Sequence, residues 1–341
     1  MQYTRREPWE GQHVDLELVE EMDEEGFETD EDDEFIEMEE KETKPNKRKR
    51  RKYYRRAPVA KKNLTLDWLK SQLNVRDVHR KTLKLLAQHR IMNIEQLLYW
   101  HEDFGQQKRA KALMQRHLNE LVYYYLVNKK DHIHHKFLDG SKRRTIFAAL
   151  GPLGSKAVGW QEHVERIRYH TDGSVSINNR YFHISRVCDL SIITNEVLKE
   201  MGASLEMWVV ECRKSIVNHD NNLNPDAFAM IKDSVTRKKY TAFIEFDTGA
   251  EDFRRTEKFP ELTKKFNRYK EVKEWDGWYK KRVSIESENK FPYVFFVTQE
   301  PRRMKKVPSL LKERVNESMV CMVEDYAARL KEFIERMREN A

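Results

Sequence analysis

Three short apolar runs decide the fold of this chain: MWVVEC (Met207–Cys212), NPDAFAMI (Asn224–Ile231) and YTAFIEFD (Tyr240–Asp247). The segments between them are rich in Asn and Asp or in Lys and Arg, a pattern typical of consecutive β-strands joined by turns. A carboxylate within an apolar strand is costly unless a divalent metal or a nearby Lys or Arg compensates its charge. The stretch therefore predicts a sheet with a charged site, whose carboxylates are Glu211, Asp226, Glu245 and Asp247.

The flanking sequence extends these strands into a mixed α/β unit over residues 175–305. The apolar spacing of Phe182–Met201 predicts a helix that ends at Gly202, and a second helix is predicted over Glu257–Trp275. The apolar run Phe291–Thr298 is typical of a strand that is buried on both faces. The order is αβββαβ, and with Pro225-Asp226 and the Glu245 strand it resembles the restriction-endonuclease-like PD-(D/E)xK superfamily.

That resemblance implies a metal-dependent nuclease site, with Asp226 and Glu245 as ligands of Mg²⁺ or Mn²⁺ and Glu211 as a further ligand. Such sites normally carry a lysine two residues after the second acid, where this chain has Asp247. The predicted catalytic set is Asp226, Glu245, Asp247 and Lys265, with Lys258 and Lys264 as other lysines on the same predicted helix. The alternative is a non-catalytic unit in which lysines neutralise the carboxylates.

Residues 63–158 have the element order of a winged helix-turn-helix DNA-binding domain. Leu64–Leu73 and Lys81–His89 predict two helices, and Ile91–Tyr99 predicts a strand-like break followed by a helix capped by Asn93. A long helix is predicted over Gln106–Val127, with an apolar face that includes Leu113. Two strands close the unit, His132–Phe137 and Thr145–Leu150, with a turn at Asp139-Gly140.

Basic and amide side chains lie off the apolar face of this long helix and along the strand hairpin. They suit phosphates and base edges of double-stranded DNA, the predicted partner. The alternative is a small helical domain that only packs. The three hairpin histidines, His132, His134 and His135, are predicted to face solvent or phosphate rather than to bind a metal. The predicted DNA-binding residues are Lys108, Lys111, Gln115, Asn119, Lys142, Arg143 and Arg144.

Charge is distributed unevenly along the chain. Residues 1–43 hold 19 Asp and Glu against 3 Lys and Arg, a balance of −16, so the remaining chain carries +23 to reach the total of +7. The following cluster, Lys47–Arg56, is basic and contains Tyr53 and Tyr54, which could stack on bases. Residues 1–62 are therefore predicted to form a disordered acidic tail and a basic linker.

Deleting residues 1–43 should raise the affinity of the chain for non-specific DNA. The acidic segment directly precedes the basic cluster, and charges within a Debye length of about 8–10 Å still interact at physiological salt. The measurement is a binding titration of duplex DNA at low salt with the full and the shortened chain. Equal affinities would contradict masking of the basic cluster by the acidic tail.

The C-terminal residues 306–341 are predicted to form an amphipathic helix. From Ser309 to Asn340, apolar residues recur at alternating spacings of four and three, which is one stripe on a helix. A helix with such a stripe can pair with a second copy as a coiled-coil homodimer, or it can dock on the α/β unit of its own chain.

Other features restrict the class of protein. The sequence shows no signal peptide and no apolar run near 18 residues, so a cytoplasmic protein without membrane contact is expected. Cys188, Cys212 and Cys321 are isolated in apolar surroundings and are predicted to be reduced core residues.

Taken together, residues 78–303 resemble the replication-relaxation family of plasmid and mobile-element proteins. The resemblance rests on the helical unit, the GPLG segment (Gly151–Gly154), His183, the segment Asn224–Ala227, the segment Phe243–Asp247, Lys265 with Tyr269, and Phe291–Thr298. It implies a DNA-binding factor in replication or relaxation of a plasmid, conjugative element or phage. The alternative is a metal-dependent nicking endonuclease of the same architecture. The predicted fold class is α+β: a winged helix-turn-helix, an αβββαβ restriction-endonuclease-like unit and a C-terminal helix.

Overall fold

The computed structural model describes residues 57, 63–101, 104, 109–136, 138, 140–159, 179–212, 223–248, 260–275, 287–288 and 290–340. These residues belong to one compact unit, residues 56–167 and 177–341. Outside the described residues lie the acidic tail, the whole basic cluster with Tyr53 and Tyr54, and also Lys108, Asp139 and Lys258. The side chains of His132 and His134 are likewise not described.

The N-terminal half builds a three-stranded sheet with helices packed on it. Its elements are α1 (Leu66–Gln72), α2 (Asp77–His89), β1 (Ile91–Asn93), α3 (Ile94–Trp100), α4 (Ala110–Tyr123), β2 (Val127–Lys136), β3 (Lys142–Leu150) and α5 (Pro152–Ala157). The sheet order is β1-β3-β2, and both pairings are antiparallel. As predicted, Asn93 caps α3, because its side chain accepts a hydrogen bond from the Gln96 backbone N–H.

The long helix and the hairpin differ from the sequence-based prediction in their limits. α4 ends at Tyr123 and Val127 already belongs to β2, because Tyr125 adopts a left-handed backbone (φ 58°) that ends the helix. Leu113 belongs to the predicted apolar face of the long helix, but it is 37% exposed. His135 was expected at the surface and is instead buried, because β2 lies against α6 and the ring stacks on Phe182 at 5.4 Å.

The GPLG segment has a steric reason for its two glycines. A Cβ on Gly151 would lie 2.4 Å from the Tyr125 carbonyl oxygen, and one on Gly154 would lie 2.1 Å from that of Leu126. The Gly151 N–H also donates to the Leu126 carbonyl. The start of α5 therefore approaches the end of the α4 region at backbone contact, which a side chain at either glycine would prevent.

The C-terminal half is built on a five-stranded sheet of order β4-β5-β6-β7-β8. Its elements are α6 (Asn179–Glu200), β4 (Ala203–Val210), β5 (Ala227–Asp233), β6 (Lys239–Asp247), α7 (Pro260–Glu274), β7 (Tyr293–Thr298), α8 (Arg303–Lys312), β8 (Ser318–Met322) and α9 (Tyr326–Glu339). β4, β5 and β6 pair antiparallel, whereas β6, β7 and β8 pair parallel. The three predicted strands, the helices on either side and the buried Phe291–Thr298 strand are all present.

Helices cover both faces of this sheet. On one face, α6 contacts Phe246 through His183, and α9 contacts Phe295 through Phe333. On the other face, α7 contacts Phe296 through Phe266. β6 is buried over almost its whole length because it lies between two neighbouring strands and two helical layers.

The prediction of a single helix over residues 306–341 is wrong. α8 ends at Lys312, residues Ser318–Met322 form β8, and the helix α9 begins only at Tyr326. β8 pairs with β7, whose backbone would otherwise form the edge of the sheet. The apolar residues of α9 are buried inside the chain, so the docking alternative describes their packing, while dimerisation stays a prediction.

Polar contacts join the two halves. Arg90, just after α2, donates from Nε to the Val210 carbonyl at 3.1 Å and from Nη2 to the Glu211 carbonyl at 2.8 Å. Gln96 in α3 donates to the Ser185 carbonyl of α6 at 2.6 Å. These bonds are buried, so they fix the N-terminal helices against the end of β4 and against α6.

Within the described part of the chain, no helix has both the length and the apolar character that crossing a membrane requires. All three cysteines are free and buried, as predicted.

Candidate functional site

Three of the predicted catalytic residues meet at one point on the C-terminal sheet. Asp226 directly precedes β5, Glu245 lies near the end of β6, and Lys265 lies on α7. The Lys265 ammonium donates to Glu245 Oε2 and lies 3.8 Å from Asp226 Oδ1. Two carboxylates from neighbouring strands therefore share one cation.

Asp226 is held in place from two sides. Its Oδ2 accepts a hydrogen bond of 2.7 Å from the Phe246 backbone N–H, and its Oδ1 lies 3.3 Å from Nε2 of His183 on α6. Burial alone would raise the pKa of Asp226, but the charges of Lys265 and His183 outweigh it and hold this pKa well below its usual range. Asp226 is therefore ionised at neutral pH.

Glu245 has the opposite character, although it lies beside the same lysine. Its side chain is buried, and Tyr269, one turn after Lys265 on α7, donates its hydroxyl proton to Oε1. Burial raises the pKa of Glu245 to about 8, and the negative charge of Asp226 adds to this effect, while Lys265 opposes it. The pKa values of the two acids are thus shifted in opposite directions, as those of paired acids in functional sites often are.

This pKa shift predicts a pH dependence of stability. Glu245 binds its proton more tightly in the folded than in the unfolded chain, so its contribution to stability falls as pH rises from about 4.5 towards 8. Between pH 6 and 9, the free energy of unfolding should fall by about 1–3 kcal/mol more in the wild type than in Glu245→Gln. Denaturant titrations at both pH values measure this difference.

Two other groups help to interpret this experiment. Burial lowers the pKa of His183, but Asp226 outweighs this effect and raises it. As pH rises, His183 therefore loses a stabilising positive charge. The free energy of unfolding of Glu245→Gln should thus still fall somewhat with pH. Asp226 has a lowered pKa, and its contribution is lost only at acidic pH. Parallel pH profiles of wild type and Glu245→Gln would contradict the raised pKa of Glu245.

Glu211 lies beside the site, but its carboxylate is ion-paired with two arginines. Its carboxylate pairs with Arg90 at 2.5 Å and with Arg180 of α6 at 2.6 Å. Its backbone N–H donates to the Asp226 carbonyl at 3.0 Å, so it also helps to position that residue. Glu211 and Arg90 both have positive φ (51° and 63°), a backbone conformation that is rare for residues other than glycine. This conformation occurs where the two halves meet.

Asp247 has partners of its own, apart from this group. Its Oδ2 accepts hydrogen bonds from Arg303 Nε at 3.0 Å and from the Thr298 hydroxyl at 2.9 Å. It lies on the same sheet face as Glu245, because side chains two residues apart in a strand share a face. At this position, further along the strand, α8 supplies the arginine. Lys264, the neighbour of Lys265, is exposed.

The residues at this site fit a hard divalent cation in part. Carboxylate oxygens are the ligands that Mg²⁺ and Mn²⁺ use, and Asp226 and Glu245 already face one cation position. The Lys265 ammonium fills that position and satisfies both acids. In the structure the arrangement is an ion-paired cluster, and its carboxylate oxygens are of the type that divalent cations bind.

Two residues of this cluster had no assigned role in the sequence-based hypothesis, His183 and Tyr269. A signal for Tyr269 was available, because Lys265 and Tyr269 are spaced i, i+4 and must share one face of α7. For His183 the sequence offers no comparable signal, since its contact with Asp226 depends on how α6 crosses the sheet.

Those of the predicted DNA-binding residues that the structure describes lie on α4 and at the start of β3. Lys111 is exposed, Gln115 and Asn119 are half-buried, and Lys142, Arg143 and Arg144 are exposed. Arg116 and Tyr123 are also exposed on α4 and were not predicted. Their spacing from Ala112, at i+4 and i+11, places them on the face opposite the buried residues, so periodicity could have identified them.

Comparison with known proteins identifies one family. Residues 83–285 match the replication-relaxation family, which is more than half of the chain and includes α4, the hairpin and the Asp226–Glu245–Lys265 cluster. No curated protein and no solved structure matches the chain. The match confirms the resemblance noted in the sequence and gives the chain a general role in replication or relaxation. The chain belongs to the replication-relaxation family.

Proposed function

We propose that this chain is a DNA-binding factor in replication or relaxation of a plasmid, conjugative element or phage. In this proposal the N-terminal half is a winged helix-turn-helix that contacts double-stranded DNA. The C-terminal half is a restriction-endonuclease-like platform that carries the carboxylate site.

The arrangement of the N-terminal elements supports the winged-helix proposal. α2, β1, α3, α4, β2 and β3 follow one another, and β3 lies between β1 and β2 in an antiparallel sheet. In winged helix-turn-helix proteins the last helix before the hairpin enters the major groove, and the hairpin contacts the backbone. α4 and the β2–β3 hairpin would have these two roles here.

The observation that carries the proposal is that the N-terminal part of α4 and the basic start of β3 lie close together. Lys111 of α4 donates to Glu95 Oε1 at 2.5 Å, and Thr145 of β3 donates to Glu95 Oε2 at 2.5 Å. Glu95 therefore holds the N-terminal part of α4 next to the start of β3. The exposed run Lys142–Arg144 directly precedes Thr145, so its charges lie near those of the helix.

Binding of duplex DNA by the full chain tests this proposal. The affinity should fall steeply with salt, since log K decreases linearly with log salt when basic side chains displace counterions from phosphates. A titration of labelled duplex between about 50 and 200 mM salt gives the slope. A slope near zero would contradict a phosphate-binding surface.

A second candidate function is metal-dependent nicking, and the convergence of Asp226, Glu245 and Lys265 favours it. Asp226 and Glu245 would hold the metal, which when bound supplies charge stabilisation at a scissile phosphate. Lys265 would keep a positive charge beside the reacting phosphate, and His183 would hold Asp226 in position. The lysine would then act from α7 instead of from β6.

A further inference from the structure

A second cluster of metal-binding side chains lies between α2 and α4, away from the carboxylate site. It consists of His79 on α2 and of His117 and Glu120, which are one turn apart on α4. One ligand atom from each residue lies within 4.8 Å of the others, and His79 Nε2 is 3.5 Å from Glu120 Oε2. Two ligands of a tetrahedral zinc ion are about 3.3 Å apart, so this spacing already suits a metal.

Hydrogen bonds around Thr82 define the protonation of His117. The Thr82 hydroxyl donates its one proton to the Val78 carbonyl at 3.1 Å, so its lone pairs accept from Nε2–H of His101 and of His117, both at 2.8 Å. This tautomer places the lone pair of His117 on Nδ1. Metal-binding histidines commonly donate their other N–H to an oxygen in the same way.

Arg76 shows that the cluster attracts a cation. Its guanidinium contacts His79 Nε2 at 2.8 Å and Glu120 at 3.1 and 3.3 Å. The Arg76 backbone N–H also lies 3.3 Å from Nδ1 of the same ring. A neutral imidazole has a lone pair on only one nitrogen, so a metal at Nε2 requires the tautomer that carries its proton on Nδ1. The Arg76 side chain is 57% exposed, whereas that of His79 is fully buried, so the arginine can move into solvent while the imidazole stays in place.

We propose that His79, His117 and Glu120 bind a zinc-like divalent transition metal, for which Arg76 acts as a competing internal cation. Two imidazoles and one carboxylate suit Zn²⁺ or Co²⁺ better than Mg²⁺, which prefers oxygen ligands alone. The bound metal would fix α2 against α4 and so stabilise the helix that presents the DNA-binding surface. This site has a different metal preference from the carboxylate site, and it does not depend on DNA binding or on nicking.

Titration of the full chain with Co²⁺, followed by its visible absorption, tests the proposal. Wild type should bind one Co²⁺ with the strong absorption of a tetrahedral site. Glu120→Gln should lose this absorption, and Thr82→Val should weaken binding about 10–100-fold, because Thr82 orients a ligand without touching the metal. Arg76→Ala should bind more tightly than wild type, since it removes the competing cation.

Arg80→Ala is the matched control, because Arg80 is an exposed residue one turn later on α2 and its loss removes the same charge. It should leave Co²⁺ affinity unchanged, and Asp226→Asn should leave the absorption band unchanged. The proposal is overturned if Arg76→Ala binds no more tightly than Arg80→Ala. It is also overturned if the absorption survives in Glu120→Gln or disappears in Asp226→Asn.

Discussion

Replacing Lys142, Arg143 and Arg144 together with alanine should weaken binding of duplex DNA by roughly 100-fold or more at about 0.1 M salt. Each phosphate contact contributes about 0.9 to the slope of log K against log salt, so three lost contacts should also reduce that slope by about 3. The three side chains are exposed at the start of β3, and the buried part of the strand begins at Thr145. The fold should therefore survive the replacement.

The matched control removes the same charge from the other half of the chain. Arg302, Lys305 and Arg329 are exposed residues at or near α8 and on α9, and their triple alanine variant has the same net charge as the hairpin variant. If DNA binding depended only on total charge, both variants would lose affinity equally. Equal losses, or no loss in the hairpin variant, would contradict a DNA-binding surface on α4 and β3.

The sequence predicted the strands of the C-terminal sheet because their apolar residues and turn signals are local. The sequence-based prediction missed β8 because it, too, used only local signals. Apolar residues from Leu311 to Met337 recur at helical spacings, and nothing local shows that β7 lacks a neighbour on one side. Strand pairing of Ser318–Met322 satisfies backbone groups at a sheet edge, and this tertiary effect overrides a helical periodicity.

The carboxylate site could be predicted to a similar extent. Asp226 and Glu245 can be identified because charge inside apolar strands is costly. Lys265 is one of three lysines on the following predicted helix that could supply the amine missing at position 247. Asp247 shares the face of Glu245 but lies about 6.6 Å further along the strand. At that position Asp247 pairs with Arg303, the first residue of α8. The sequence did not predict that α8 would contact β6. The pairing of His79 with His117 likewise depends on how two helices pack.

The largest effect on stability is expected from Lys265→Met. At neutral pH Asp226 is ionised, whereas the buried Glu245, with a pKa of about 8, keeps its proton. The loss of Lys265 therefore leaves the Asp226 charge without this cation. Removing one partner of a buried ion pair costs about 3 kcal/mol or more, which corresponds to a decrease in Tm of roughly 5–10 °C. Lys264→Met, the same change at the exposed neighbouring position, should leave Tm nearly unchanged.

Mg²⁺ or Mn²⁺ then distinguishes an ion pair from a metal site. If Asp226 and Glu245 can hold a divalent ion, the ion should raise the Tm of Lys265→Met more than that of wild type, because the ammonium no longer competes. Adding Asp226→Asn and Glu245→Gln should abolish the rise. If divalent ions leave every Tm unchanged, the lysine serves only to neutralise the acids.

Supercoiled plasmid incubated with the same proteins separates binding of a metal from catalysis. Nicking by wild type that is lost in folded Asp226→Asn and in folded Lys265→Met would assign the reaction to this cluster, because the two residues lie on different elements and share only the site. Metal-dependent stabilisation without nicking would leave the DNA-binding proposal and exclude the endonuclease. The Lys265 variant is decisive here. A lysine that only neutralises charge becomes dispensable once a divalent ion takes its place, so Lys265→Met would still nick. A lysine that acts on the phosphate stays necessary, so Lys265→Met would not nick.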